Sequence, residues 1–384
     1  MTRSKAGLVG VGLLCAMLFL AGCGGPGSQP SAETRTAGSS TTGSPTISSP
    51  PASGNGRLQA SELLTGLTTP WGLVPLKDGT LLISERDNKQ ILRVDGSAKE
   101  LLRTLDGADP SGEGGLLGLA ITADESRVFA YYTAVEDNRI VAMSWNGRSL
   151  GEPEVILDGI PKSGLHNGGR IVVGPDGHLY VGTGDASESE RAQDKSSLSG
   201  KILRVTVNGQ PAPENPFGNE VFSFGHRNVQ GLTFDEEDRL WASEFGSQEW
   251  DELNLVEKGK NYGWPTVSEG SHYNDAPIPR HAEETHFTPP LKFWNPSISP
   301  SGWIFYTGDK FEDLKGKGLL GGLSSEALIV LTIQDEKVLD DSIVKTERRI
   351  RDVAQMPDGS LLLLTDGNNA KLLRLVPSIE REAG

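Results

Sequence analysis

Residues 71–84 read Trp71-Gly-Leu-Val-Pro-Leu-Lys-Asp-Gly-Thr-Leu-Leu-Ile-Ser84: an apolar run, a polar Asp-Gly turn and a second apolar run. Two short apolar runs joined through Asp-Gly make a β-hairpin signal, because the turn needs a positive φ that glycine adopts without steric cost. The same unit recurs as Leu117-Gly-Leu-Ala-Ile-Thr-Ala-Asp-Glu-Ser-Arg-Val-Phe-Ala-Tyr131, as Gly169-Arg-Ile-Val-Val-Gly-Pro-Asp-Gly-His-Leu-Tyr-Val-Gly-Thr183, and as Gln230-Gly-Leu-Thr-Phe-Asp-Glu-Glu-Asp-Arg-Leu-Trp-Ala-Ser243. A fainter copy starts at Ser301-Gly-Trp-Ile-Phe-Tyr306, and a sixth is Arg351-Asp-Val-Ala-Gln-Met-Pro-Asp-Gly-Ser-Leu-Leu-Leu-Leu-Thr365. Follow-on strands such as Gln90-Ile-Leu-Arg-Val94, Lys201-Ile-Leu-Arg-Val205 and Lys371-Leu-Leu-Arg-Leu375 close several copies. Helical periodicity is almost absent. Repeats roughly 45 to 70 residues apart suit four-stranded blades with loop insertions, so the reading is an all-β, six-bladed β-propeller over residues 58–377. In such a fold the loops flanking the innermost strands line one mouth of a central channel, and chemistry is expected there.

The N-terminus reads as an export signal. Arg3 and Lys5 precede an apolar stretch from Ala6 to Ala21, followed by Leu20-Ala21-Gly22-Cys23. That stretch is short of the roughly 20 residues a spanning helix needs, and small residues precede the cysteine. Residues 1–22 are therefore expected to be a lipoprotein signal peptide and Cys23 the lipidated first residue. Residues 23–57, rich in Gly, Ser, Thr and Pro, read as a flexible tether, and 378–384 as a tail. The protein is thus expected at the extracytoplasmic face of a membrane, held by lipid alone. Cleavage removes Cys15, the only other cysteine, so no disulfide can form within the mature chain. A formal net charge of −15 argues against nucleic acid or anionic headgroups as partners.

One segment is dense in residues that a scaffold alone does not need. It contains His166-Asn-Gly-Gly-Arg170, Gly182-Thr-Gly-Asp185, Gly225-His-Arg-Asn228, Glu244-Phe-Gly246, Asp251-Glu-Leu-Asn254 and Asn261-Tyr-Gly-Trp-Pro265. Pro70-Trp71-Gly72, Gly112-Glu-Gly-Gly-Leu-Leu117, Pro296-Ser-Ile-Ser-Pro-Ser-Gly302 and Arg349-Ile-Arg-Asp-Val353 flank it. In order and spacing these motifs resemble the soluble quinoprotein sugar dehydrogenases, the glucose/sorbosone or aldose dehydrogenases that use pyrroloquinoline quinone (PQQ). That resemblance implies a six-bladed propeller, and oxidation of an aldose or related polyol with electrons passed to a respiratory acceptor.

Alcohol oxidation needs a base for the hydroxyl proton while hydride leaves carbon, and histidine titrates in the right range. The resemblance makes His166 that base, Asp185 the carboxylate orienting its ring, and Arg227 and Asn228 the pair contacting the quinone. It also assigns Arg349 and Arg351 to the PQQ carboxylates, and Tyr273 and Trp294 to aromatic positions against cofactor or substrate. Calcium is the implied metal: Gly246 and Ser247 carbonyls for the cofactor ion, Glu252 and the Tyr262 carbonyl for a second, structural one. Three positions depart from the family pattern. Ser324 stands where a cofactor-binding lysine is usual, Glu113 where glutamine is, and Ser247 where proline is. The first two make the pocket less cationic, each change worth about tenfold or more in affinity for an anionic cofactor. A propeller that binds glycan or protein without cofactor is the alternative, and a metal-dependent hydrolase is a third reading.

Overall fold

The computed structural model describes residues 58–377; the signal peptide, Cys23, the tether and the tail lie outside the described residues. Twenty-four strands form six four-stranded antiparallel sheets. Blade 1 comprises Pro70–Pro75, Leu81–Glu85, Gln90–Asp95 and Ala98–Thr104. Blade 2 comprises Leu116–Ile121, Arg127–Thr133, Asn138–Ser144 and Glu154–Ile160, and blade 3 Arg170–Val173, Leu179–Gly182, Lys201–Val205 and Val221–Phe224. Blade 4 comprises Val229–Phe234, Leu240–Glu244, Asp251–Val256 and Lys292–Trp294, and blade 5 Pro300–Phe305, Gly318–Gly322, Ala327–Gln334 and Lys337–Lys345. In blade 6, Ile350–Gln355, Leu361–Thr365 and Asn368–Pro377 are completed by Leu58–Thr68 from the other end of the chain, in register from Leu58–Pro377 to Glu62–Leu373. The first strand of each blade contacts those of its neighbours, and the ring closes between Pro70–Pro75 and Ile350–Gln355. The six-bladed propeller expected from the repeats is the fold.

Burial explains the composition of each strand. Second strands such as Leu81–Glu85 and Leu361–Thr365 are buried throughout, since blades pack against both faces, and they read as continuous apolar runs. The outer strand Ala98–Thr104 is exposed over its first four residues and half-buried over its last three, and it mixes charged with apolar residues. The first hairpin of blade 1 turns at Gly79, with φ of 85°, and Glu125 and Asp238 take the equivalent conformation in blades 2 and 4, at 55° and 59°. Apolar clusters fill the space between blades. Phe129, Tyr131, Ile171, Val181 and Leu203 do so between blades 2 and 3, and Ile83, Leu92, Leu362 and Leu364 between blades 6 and 1. No helix among the described residues is long and apolar enough to cross a membrane.

Candidate active site

Every inner strand enters the channel from the same mouth, and the residues at those entrances and at the ends of the second strands come together there. His166 sits in the turn before blade 3 with φ of 58°, a left-handed conformation costing on the order of 1–3 kcal/mol outside glycine. Gly184 permits this placement: a Cβ there would stand 1.8 Å from the His166 carbonyl oxygen. The same carbonyl accepts from Ala186 N at 3.1 Å, so His166 and the loop after Gly182 are fixed to each other.

His166 and Asp185 are both buried, with Nδ1 2.8 Å from Asp185 Oδ1. Asp185 Oδ1 also accepts from Ser187 N at 2.9 Å, and Oδ2 accepts from Trp264 Nε1 at 2.8 Å. Burial works against the charge of Asp185, yet the hydrogen bonds and charge of His166, with those from Ser187 and Trp264, hold its carboxyl below the usual range. On the far side of the ring, Arg227 Nη2 lies 3.1 Å from His166 Nε2. A guanidinium can only donate, so Nε2 presents its lone pair and the ring proton sits on Nδ1, facing Asp185. The imidazole is thereby held in the tautomer of a base, with the basic nitrogen directed at Arg227.

Arg227 is anchored in turn. Its backbone N–H donates to Glu244 Oε2 at 2.7 Å, while Glu244 Oε1 lies 2.8 Å from Nδ1 of the fully buried His226. Its Nη1 donates to the Phe245 carbonyl at 3.1 Å, and its guanidinium stacks at 5.4 Å from the Trp264 ring. Nη2 also donates to the hydroxyl of Tyr273, which is 68% exposed and lies over the Arg227 side of the mouth.

Beside this constellation lies a cavity of about 200 Å³, bounded by Trp71, Arg86, Glu113, Gln230, Arg349, Arg351 and Asp366 among others. Arg349 and Arg351 both pair with Asp366, at 2.9 and 3.0 Å, and Arg86 pairs with Asp87 at 2.8 Å. Glu113 Oε2 accepts from His166 N at 2.8 Å, so this carboxylate braces the turn that carries the base. Ser324 is exposed at the edge: its hydroxyl donates to the Ser297 carbonyl at 3.0 Å and accepts from Ser299, which lines the cavity. Asn228 is fully buried. Its Oδ1 accepts from Gly168 N at 3.0 Å, whereas its Nδ2, like Arg227 Nε, is buried without a partner. Three guanidiniums around one cavity and unpaired buried donors beside it fit an anionic, carbonyl-bearing cofactor.

Of the expected metal ligands, Gly246, Glu252 and Tyr262 converge on one recess, whose walls do not include Ser247. Glu244 also bounds that recess. Glu252 is buried without a basic partner among the described residues, and burial, then the neighbouring Glu244, pushes its carboxyl well up. The Tyr262 carbonyl accepts from His281 Nε2 at 3.1 Å, and Ser247 is buried with its hydroxyl unpartnered. No cage of three or more His, Cys, Asp or Glu side chains occurs among the described residues. Carbonyl and carboxylate oxygens around buried negative charge fit a hard cation.

Trp294 is different. It packs in the core of blades 4 and 5 with Trp241, Leu253 and Trp303, and its Nε1 donates to Asp341 at 2.9 Å, so it is a packing residue away from the cavity. Conversely, the motifs gave no role to Arg86, Asp366 or Trp264. Arg86, Phe245, Leu323 and Asp366 each directly follow the second strand of a blade and all line the cavity, so position within the repeat was the signal that marks them.

Known proteins agree with this construction. The family model described as Glucose / Sorbosone dehydrogenase matches residues 67–374. The aldose sugar dehydrogenase of Escherichia coli is 33% identical over 338 residues, spanning 81% of this chain and 91% of that protein. The quinoprotein glucose dehydrogenase B of Acinetobacter calcoaceticus is 27% identical over 404 residues, or 79% and 84% of the two chains. The PQQ-bound aldose sugar dehydrogenase from Streptomyces coelicolor superposes with a TM-score of 0.75 at 40% identity, covering 84% of this chain and 99% of that one. With the repeat, the closed ring and the convergent mouth in agreement, the chain belongs to the glucose/sorbosone dehydrogenase family.

Proposed function

We propose that the protein is a PQQ- and calcium-dependent dehydrogenase that oxidises aldose sugars or related polyols at the extracytoplasmic face of a membrane. The observation that carries this reading is the Asp185–His166–Arg227 line, which presents an unprotonated Nε2 beside the arginine-lined cavity. The bound quinone supplies the hydride acceptor. The chain's own residues do the rest. Asp185 keeps the ring proton on Nδ1 and, once Nε2 has taken the sugar hydroxyl proton, stabilises the imidazolium. Arg227 places positive charge where an oxygen gains electron density, and its buried setting strengthens that effect. Arg86, Arg349 and Arg351 would hold the cofactor carboxylates, with Asn228 Nδ2 free for a carbonyl. Gly246 and Ser247 carbonyls would hold the calcium at the cofactor, and Glu252 and the Tyr262 carbonyl the structural one. The export signal and Cys23 support the location, and a respiratory carrier is the expected electron acceptor.

The test is dye reduction by purified protein supplied with PQQ and calcium, across a panel of aldoses. Sugar-dependent reduction that requires PQQ is expected. Calcium binding without PQQ binding or turnover would overturn the enzyme reading in favour of a binding module.

A further inference from the structure

Lys201 is a fully buried cation that the chemistry above does not use. It opens the third strand of blade 3, and its ammonium meets main-chain carbonyls rather than a carboxylate. Nζ donates to Arg191 O at 2.7 Å, Ala192 O at 3.0 Å and Ser199 O at 2.6 Å. All three acceptors belong to the loop between Gly182 and Lys201, which also carries Asp185. Burial pulls this amine down to about 7, against the opposing effect of Asp194. A hydrocarbon side chain would fill the same space without the cost of a buried charge, but it would leave the three carbonyls without this donor. An ammonium has three N–H groups to offer, so Lys201 gathers the loop from inside as a bound cation would.

The loop so gathered reaches all three residues of the Asp185–His166–Arg227 line. Asp185 N donates to the Arg227 carbonyl at 2.8 Å, and Ala186 N to the His166 carbonyl at 3.1 Å. The returning end is tied to the same place: Ser199 Oγ and Gly200 N both donate to the Gly184 carbonyl, at 2.9 and 2.8 Å. The Ala192 carbonyl held by Lys201 also accepts from Gly225 N at 3.0 Å, two residues before Arg227. Beside it, Gln193 Nε2 donates to the Trp264 carbonyl at 2.7 Å, and the Gln193 and Asn261 amides exchange hydrogen bonds at 3.0 and 2.8 Å. Trp264 in turn donates its ring N–H to Asp185 Oδ2. The chain of contacts therefore closes on itself, from Lys201 through Gln193 and Trp264 back to Asp185. A Cβ on Gly200 would stand 2.7 Å from both Ala192 Cβ and the His226 carbonyl, so the loop has no room to slip.

We propose that Lys201 is a positioning residue, whose ammonium sets the placement of Asp185 and of the Trp264 indole and, through them, the tautomer and aim of His166. Its effect on turnover rests on the dehydrogenase reading; its effect on the geometry of the line does not.

The chain holds seven tryptophans, so NMR of the full protein labelled at the indole nitrogen reads each N–H separately, with no cofactor or sugar present. The Trp264 signal, identified by its loss in Trp264→Phe, should move in Lys201→Met and in Asp185→Asn, while those of Trp145 and Trp303 stay. Gln193→Ala cuts the link to Trp264 but keeps the buried ammonium; it should move the signal too, and it decides the matter if Lys201→Met does not fold. Leu76→Ala, a cavity at the opposite end of blade 1, should lower Tm without moving it. In dye reduction at saturating PQQ and sugar, kcat of Lys201→Met should fall about tenfold to hundredfold. In the Asp185→Asn background the same change should cost less than about threefold, a non-additivity that a purely structural lysine would not produce. A Trp264 signal unmoved by Lys201→Met and Gln193→Ala, an equal movement in Leu76→Ala, or kcat losses that simply add would overturn the proposal. Absence of turnover in the wild type, with the Trp264 signal behaving as expected, would count against the dehydrogenase reading alone.

Discussion

Asp185→Asn changes one oxygen for one nitrogen, and the structure predicts a large effect from it. Three donors converge on the Asp185 carboxylate: His166 Nδ1 and Ser187 N on Oδ1, and Trp264 Nε1 on Oδ2. An amide offers a single acceptor. If its oxygen faces His166 and Ser187, its NH2 meets the Trp264 N–H, donor against donor. If it is reversed, the imidazole must move its proton to Nε2, where Arg227 Nη2 already donates from 3.1 Å. Either orientation leaves a buried donor unsatisfied, a cost of about 1–3 kcal/mol in stability. The second orientation also protonates the nitrogen that must act as base, and general-base catalysis is worth roughly 10²–10⁴ in rate. We expect kcat in PQQ-dependent dye reduction at saturating sugar to fall by about that factor. The sign of the stability effect with pH also follows. A carboxyl held below its usual range stabilises the fold above the unfolded aspartate value, about 3.9, and loses that contribution as pH falls through its folded value. The urea-unfolding gap between wild type and Asp185→Asn should therefore persist from neutral pH to about 4 and close below it. A folded variant with kcat within about threefold of wild type would refute the tautomer argument.

Other expectations follow from neighbouring residues. His166→Ala should abolish turnover while PQQ still binds, as followed by equilibrium dialysis; a fully active variant would remove His166 as the base. Arg86→Ala should weaken PQQ binding by about tenfold or more, the loss of one charge-assisted contact, and Ser324→Lys should tighten it by restoring a cation at the cavity edge. Unchanged PQQ affinity in both would place the cofactor elsewhere. Removing calcium with a chelator should lower Tm, because Glu252, buried beside Glu244 without a basic partner of its own, then loses the cation that answers its charge, and Glu252→Gln should shrink that shift. A Tm indifferent to chelator would argue against a structural ion in this recess.

The sequence disclosed the blades to the extent that their turns are local. Asp78-Gly79, Asp176-Gly177 and Asp358-Gly359 announce their hairpins within a few residues. Blade 5 was fainter because a longer loop joins Pro300–Phe305 to Gly318–Gly322, built on a 3-10 turn at Glu312–Leu314 and on the Tyr306 hydroxyl, which donates to the Gly359 carbonyl in blade 6. The closure of blade 6 by Leu58–Thr68 pairs opposite ends of the chain, and no local pattern marks it. In the site, His166, Asp185, Arg227, Arg349 and Arg351 were legible from motif and chemistry. Trp264 was not, since its hydrogen bond to Asp185 bridges 79 positions. Arg86 and Asp366 look like ordinary surface charges until the repeat places them at the ends of second strands. The core position of Trp294 has no mark in the sequence, because an aromatic next to Asn295-Pro296 reads alike whether it faces a ligand or a core.

The central claim is that the mouth carrying His166, Asp185 and Arg227 is a quinone-dependent sugar-oxidising site. Titrating PQQ into the purified, calcium-loaded protein, with aldose-dependent dye reduction recorded at each addition, tests it most directly. The account predicts activity rising linearly to a break at one PQQ per chain, and no such rise in His166→Ala. Activity that never appears, or that appears without PQQ, would contradict it.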